Sequence, residues 1–190
     1  MHPLLEGFAN LFEKPLYWPE SLEWPLTVAP LGPGAVGKVA SPGKPQPDFR
    51  AKDLDIHLPT LAGILLWQGE LDQSHEISQA LADSDGAYWH GLMHRREPDH
   101  ANAAYWFRRV GIHPIHAALG KILKAGNWQS PEVQKRARQN PGWDMFWMND
   151  LCRRALQSGE PSLVKDLEGL QWAEYRLLLD DSAGGIAYVK

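Results

Sequence analysis

Two histidines and a glutamate form the grouping in this sequence whose spacing best suits chemistry. His90, His94 and Glu97 are separated by steps of four and three residues. On an ideal α-helix these steps return to one face, within about 60° of arc. Two imidazoles and a carboxylate are ligands that Zn, Fe or Mn accept in proteins. The spacing therefore predicts a divalent metal site, with hydrogen-bonded structural histidines or a metal-free polar pocket as the alternatives.

Three further histidines follow within the next 22 residues and are candidates to complete the ligand set. His100 comes directly after the first group, and His113 and His116 flank Pro114 at a predicted helix start. The helix dipole at such a position lowers a histidine pKa and favours the neutral, metal-binding form. The alternative is that His113 caps the helix and His116 lies on the surface.

Arginines on the same segment predict recognition of an anion. Arg96 and Arg109 could position a carboxylate or phosphate through the planar guanidinium fork. Residues 88–140 carry nine Lys/Arg against three Asp/Glu, whereas the rest of the chain carries ten against twenty. The alternative is structural, with the basic segment packed on acidic neighbours and Arg96 paired with Glu97, Asp99 or Glu174.

The segment from Tyr88 to His116 is predicted to be a helical hairpin. Its first helix is expected over Ala87–Arg96 and its second over Asp99–Val110, with Pro98 in the first turn and Gly111 as a C-cap. Trp106 lies on the second helix and is a candidate to line a binding pocket, because an indole stacks on ligands and cations.

The remaining helices are predicted from apolar residues at helical spacing and from prolines and glycines that mark helix boundaries. Two short helices are expected around the break at residues 68–72. Others begin near Pro114, Pro131, residue 147 and Pro161, and the last ends near Leu179. The sequence thus predicts an all-α body of seven or eight helices arranged as antiparallel hairpins, with residues 186–189 as a short strand or docked tail.

The N-terminal part of the chain has a different composition. Ten of the fifteen prolines fall within residues 1–59, and the stretch Ala29–Pro47 is too rich in proline and glycine for a helix. Apolar anchors such as Trp18 and Trp24 predict an extended arm packed on the body. We expect an arm over residues 1–58 and a helical domain over residues 59–190. The arm could also cross to a second subunit and form a homodimer.

Composition narrows the function classes. The chain carries a net charge of −4 and no long basic face, which disfavours nucleic-acid binding, and no apolar run of 18 residues predicts a membrane span. The absence of a secretory signal pattern predicts a cytoplasmic location. The single cysteine, Cys152, lies in the apolar phase of a helical pattern, so a buried structural thiol is expected rather than a nucleophile.

The hairpin resembles the Sel1-like and tetratricopeptide class of helical repeats. Tyr88 and Gly91 stand in the first helix, the turn holds Glu97-Pro98-Asp99, and an alanine-aromatic run leads to Gly111. The resemblance covers about a quarter of the chain and implies an all-α, repeat-like fold. The strings MHRREPD and NAAYWFRRVGIHP also resemble a motif of bacterial proteins, a resemblance that implies no activity.

Two functions from different classes follow. The first is a non-catalytic helical module that binds a protein or a small ligand. The second is a metal-assisted enzyme in which His90, His94 and Glu97 hold the ion while Arg96 or Arg109 positions a small anionic substrate. No glycine-rich phosphate loop or nucleophile motif supports nucleotide-dependent or Ser-His-Asp chemistry.

Overall fold

The computed structural model describes residues 58–184 of the chain. Within this range it contains helices and no strand, which confirms the all-α prediction. The eight helices are α1 (Leu58–Gln68), α2 (Leu71–Ala80), α3 (Ser84–Arg96), α4 (His100–Val110), α5 (Ile115–Ala125), α6 (Pro131–Gln139), α7 (Met145–Ser158) and α8 (Pro161–Ser182). The predicted arm, apart from Leu58, and the predicted tail at residues 186–189 lie outside the described residues.

Helix α3 is the central element of the fold. Every residue from Gly86 to Arg95 is buried, because α1, α2 and α4 all pack against this helix. Close packing depends on glycine at two positions. A Cβ on Gly63 would lie 2.6 Å from the Trp89 ring, and one on Gly91 would lie 2.4 Å from the Phe107 ring. The absence of side chains there lets α1 and α4 approach α3.

The apolar core consists of two clusters that share α8. The first joins α1 to α5 with the C-terminal half of α8, and the second joins α5, α6 and α7 with its N-terminal half. Helix α8 has 22 residues and therefore extends about 33 Å, enough to run along both clusters. Within residues 58–184, no helix is both long and apolar enough to span a bilayer.

Side-chain caps define where several helices begin. The Asp83 carboxylate accepts a hydrogen bond from the Gly86 backbone N–H at 2.7 Å, and Asp99 accepts one from Asn102 at 3.0 Å. Asp99 is thus the N-cap of α4, whose first residue is His100. The expectation that Pro98 lies in the first turn is wrong, because capping by Asp99 starts the helix two residues later.

A buried polar network ties α3 to α8. The Arg95 guanidinium donates to a Glu174 carboxylate oxygen, and the Tyr88 hydroxyl donates to the other oxygen at 2.9 Å. Trp143 donates to the Tyr88 oxygen at 3.1 Å. Both members of the ion pair are buried, so removing either one would leave an uncompensated buried charge. The acidic partner Glu174 is therefore taken by Arg95 and not by Arg96.

The buried thiol of Cys152 lies near enough to Arg95 and Glu174 to interact electrostatically with both. Burial raises the pKa of Cys152 to about 11, which leaves the thiol protonated and unreactive near neutral pH. The prediction of a buried cysteine is confirmed.

Candidate functional site

Three histidines from two helices converge at one end of the first core cluster. His90 and His94 lie one turn apart on α3, and His75 approaches them from α2. One nitrogen from each imidazole lies within 4.8 Å of the other two. The sequence spacing correctly placed His90 and His94 on one helical face, but the third imidazole comes from a helix that packs against that face.

The cluster has a buried side and a side open to solvent. His90 and His94 are only 1% and 6% exposed, whereas His75 is half-buried. The Glu97 side chain is 34% exposed. The cluster is therefore buried where His90 and His94 lie on α3 and partly exposed beside His75 and Glu97.

Hydrogen bonds fix the protons on the two α3 histidines. Glu97 Oε2 lies 3.2 Å from His94 Nδ1, and a carboxylate can only accept, so Nδ1 carries the His94 proton. Nε2 of neutral His94 then has a lone pair and accepts from His90 Nε2 at 2.9 Å. His90 Nδ1 is buried and has no hydrogen-bond partner among the described residues. His94 thus directs a lone pair into the cluster while a carboxylate holds its other nitrogen.

Burial keeps the paired imidazoles neutral. The pKa of His90 is lowered to about 3, chiefly by burial and also by the charge of Arg109 and the charges that His94 and His75 would carry. Burial also lowers the pKa of His94, although the neighbouring Glu97 carboxylate opposes this shift. Neutral imidazole is the form that binds a metal ion, because protonation removes the lone pair.

An aromatic stack covers His90. The Trp106 indole of α4 lies parallel to the His90 ring, with centroids 3.7 Å apart, and the Arg109 guanidinium carbon lies 5.0 Å from the Trp106 ring. His90 also meets His75 edge to face, with centroids 4.6 Å apart. These contacts restrict rotation of the His90 imidazole, which favours a preformed site.

The nitrogen spacing is close to that of a metal centre. Imidazole nitrogens bound to Zn²⁺ at about 2.0–2.1 Å in a tetrahedral arrangement are about 3.3 Å apart. The two nitrogens of His90 and His94 are 2.9 Å apart, and His75 completes a triangle with no side above 4.8 Å. Binding an ion there would require the His90 proton to move from Nε2 to Nδ1, after which small side-chain rotations would bring all three nitrogens onto one ion. The Glu97 contact would hold His94 as a ligand, as carboxylates commonly do around zinc.

The structure places the other predicted site residues elsewhere. The Arg96 guanidinium donates to the Leu66 carbonyl at the end of α1, and burial lowers the Arg96 pKa. His100 Nδ1 lies 3.0 Å from Asn149 Oδ1 and links α4 to α7. Neither side chain joins the cluster. Of the predicted residues, His90, His94, Glu97 and Trp106 are brought together, with Arg109 beside them.

A second group of potential ligands surrounds His113. Asp85 and Asp181 approach its Nε2 at 2.9 and 3.8 Å, and ligand atoms of all three residues lie within 4.8 Å of one another. However, His113 Nδ1 accepts the Ile115 backbone N–H at 3.4 Å, so Nε2 carries the proton and donates to Asp85. The Ser182 hydroxyl donates to the other Asp85 oxygen at 2.8 Å. This arrangement ties the start of α3 to the end of α8 and directs no imidazole lone pair at the carboxylates.

His116 also stays outside the histidine cluster. Its Nδ1 accepts the backbone N–H of His113 at 3.3 Å. Burial, reinforced by the charge that His113 would carry, lowers the pKa of His116 to about 4. His116 is half-buried rather than a fully exposed surface residue.

Reasoning from the sequence missed His75. The inward face of α2 carries Ser74 and Ser78, both fully buried, together with the buried Leu71, so apolar spacing reveals its orientation poorly. The Ser74 hydroxyl donates to the Ala62 carbonyl at 2.8 Å and holds α2 against α1. The burial of these serines is not visible in the sequence, so no sequence pattern places His75 near the interface between α2 and α3.

Comparisons with known proteins provide no assignment for this site. No protein-family model matches the chain, and no curated protein or solved structure matches it either.

Proposed function

We propose that this protein is a small-ligand-binding helical module whose ligand is a divalent transition-metal ion, held by His75, His90 and His94. The observation that carries the proposal is the convergence of three imidazole nitrogens within 4.8 Å. Glu97 supports the set by holding Nδ1 of His94.

The donor atoms narrow the choice of ion. Three imidazole nitrogens suit Zn²⁺, Cu²⁺, Ni²⁺ and Fe²⁺, whereas Mn²⁺ and Mg²⁺ prefer carboxylate and carbonyl oxygens. The sequence predicted Zn, Fe or Mn because Glu97 was expected to be a direct ligand. In the structure Glu97 contacts His94, and His75 is the third potential ligand. This all-nitrogen set favours binding of zinc and disfavours binding of manganese.

A purely structural role accounts less well for the cluster. His90 Nδ1 is buried without a partner among the described residues, and such a group costs about 1–3 kcal/mol. Two apolar side chains at positions 90 and 94 would pack there without this cost. A bound ion would offset this cost through its own binding free energy, since Nδ1 stays unpartnered when Nε2 coordinates the ion.

Calorimetric titration of the chelator-treated full chain with Zn²⁺ tests the proposal. We expect one ion per chain, and we expect His75→Ala and His94→Ala each to weaken binding by at least tenfold, because each removes one ligand. His100→Gln is the matched control, since it removes a histidine outside the cluster. Unchanged affinity in His75→Ala and His94→Ala, with melting curves like the wild type, would reject the proposal.

A further inference from the structure

We infer that the ion held by His75, His90 and His94 takes a small anion, either a free inorganic anion or a carboxylate group, as its remaining ligand. This inference rests on the proposed metal site. It assigns that site an exchangeable position and a ligand class.

The coordination number of the ion leaves one ligand position to be filled. A tetrahedral ion needs four ligands, and the cluster within the described residues supplies three. Structural zinc sites are closed by four protein side chains, whereas sites that exchange a ligand keep one position free. Beside the cluster, His75 and Glu97 remain partly exposed. The remaining position would therefore lie where a solute can reach it.

The charge of the ion and its surroundings favours an anion in that position. Three neutral imidazoles leave the full +2 charge of the ion unbalanced in its ligand shell. Glu97 offsets part of this charge indirectly, through His94. On the other side, exposed Arg109 lies over Trp106, which stacks on His90. The positive potential therefore favours an anionic ligand over a neutral one.

Packing around the three nitrogens limits the size of the remaining ligand. The Trp106 ring stacks on His90 with centroids 3.7 Å apart, and the His75 and His94 rings meet edge to face with centroids 5.3 Å apart. With these rings so close together, a ligand with a small coordinating end, such as azide or a carboxylate, fits best.

Cobalt substitution tests the inference, because Co²⁺ occupies zinc sites and its visible absorption reports its ligands. The metal-free full chain is loaded with Co²⁺ and titrated separately with azide, acetate and benzoate. We expect a saturable spectral change with azide at least. A response to azide alone identifies a free inorganic anion, and a further response to acetate and benzoate identifies the carboxylate of a larger molecule.

Two arginine variants separate specific from general electrostatic effects. Arg109→Gln is expected to weaken azide binding by about two- to fivefold, the range for one partly screened charge. Arg108→Gln removes the neighbouring exposed arginine of α4 and should have a smaller effect. Cobalt binding with a spectrum that none of the three anions changes would overturn the inference and leave the metal site standing. Failure to bind cobalt or zinc would reject both.

Discussion

The contact between Glu97 and His94 gives a prediction whose size follows from the structure. Glu97→Gln replaces the carboxylate that holds the His94 Nδ1 proton at 3.2 Å with a neutral amide. Removing such a supporting carboxylate typically weakens metal binding about 10- to 100-fold. Since the Glu97 side chain is 34% exposed, solvent screens the contact and the lower end applies. We expect about tenfold weaker Zn²⁺ binding, equivalent to about 1.4 kcal/mol.

Titration calorimetry at constant pH and ionic strength measures this change, and Glu76→Gln is its matched control. Glu76 is exposed and follows His75 on α2, so its substitution removes the same charge without touching His94. We expect a change of less than about twofold in that control, as for a screened surface charge. Equal weakening in both variants would show that Glu97 acts only through long-range charge, and unchanged affinity in Glu97→Gln would refute the role assigned to it.

Three further predictions concern stability. Glu174→Gln should lower the urea-derived free energy of unfolding by about 3–5 kcal/mol, because it leaves Arg95 charged, buried and unpaired. If the double variant with Arg95→Met lost as much stability as the two single variants added together, this explanation would be contradicted. Gly91→Ala should cost about 1–3 kcal/mol, although alanine favours helices, because its Cβ would lie 2.4 Å from the Phe107 ring; a stabilised variant would refute this close contact. The metal-free protein should lose stability as pH falls from 6.5 to 4, because His116 has a folded-state pKa of about 4 and the unfolded chain binds the proton first. For this half-buried ring the loss in the free energy of unfolding is about 3 kcal/mol at most. Denaturant unfolding of His116→Gln should show a shallower dependence of this free energy on pH than the wild type. The same pH dependence in both proteins would exclude a contribution from His116.

Local sequence rules account well for the helices. Proline and glycine mark most helix boundaries, as at Pro131, Pro161 and Gly159, and apolar periodicity identifies α5, α7 and α8. These features depend on a few neighbouring residues and are therefore visible in the sequence. The exact start of α4 depended on a competition between Pro98 and the Asp99 cap, which composition alone does not decide.

The site was predictable only where it lies on one helix. His90 and His94 share a face of α3 because of the helical repeat, and Glu97 follows one turn later. Placing His75 in the site requires knowing how α2 packs on α3. The serine-rich inward face of α2 does not reveal this packing. Arg95 and Arg96 are neighbours whose directions differ by about 100°, so packing alone decided which one reached Glu174.

We propose above that His75, His90 and His94 bind one ion together. X-ray absorption spectroscopy of the zinc-loaded chain tests it most directly, because bound imidazoles give characteristic outer-shell scattering. We predict three imidazole nitrogens at about 2.0–2.1 Å from zinc, falling to two in His75→Ala. A first shell of oxygen ligands without imidazole scattering, or a spectrum unchanged in His75→Ala, would contradict the claim.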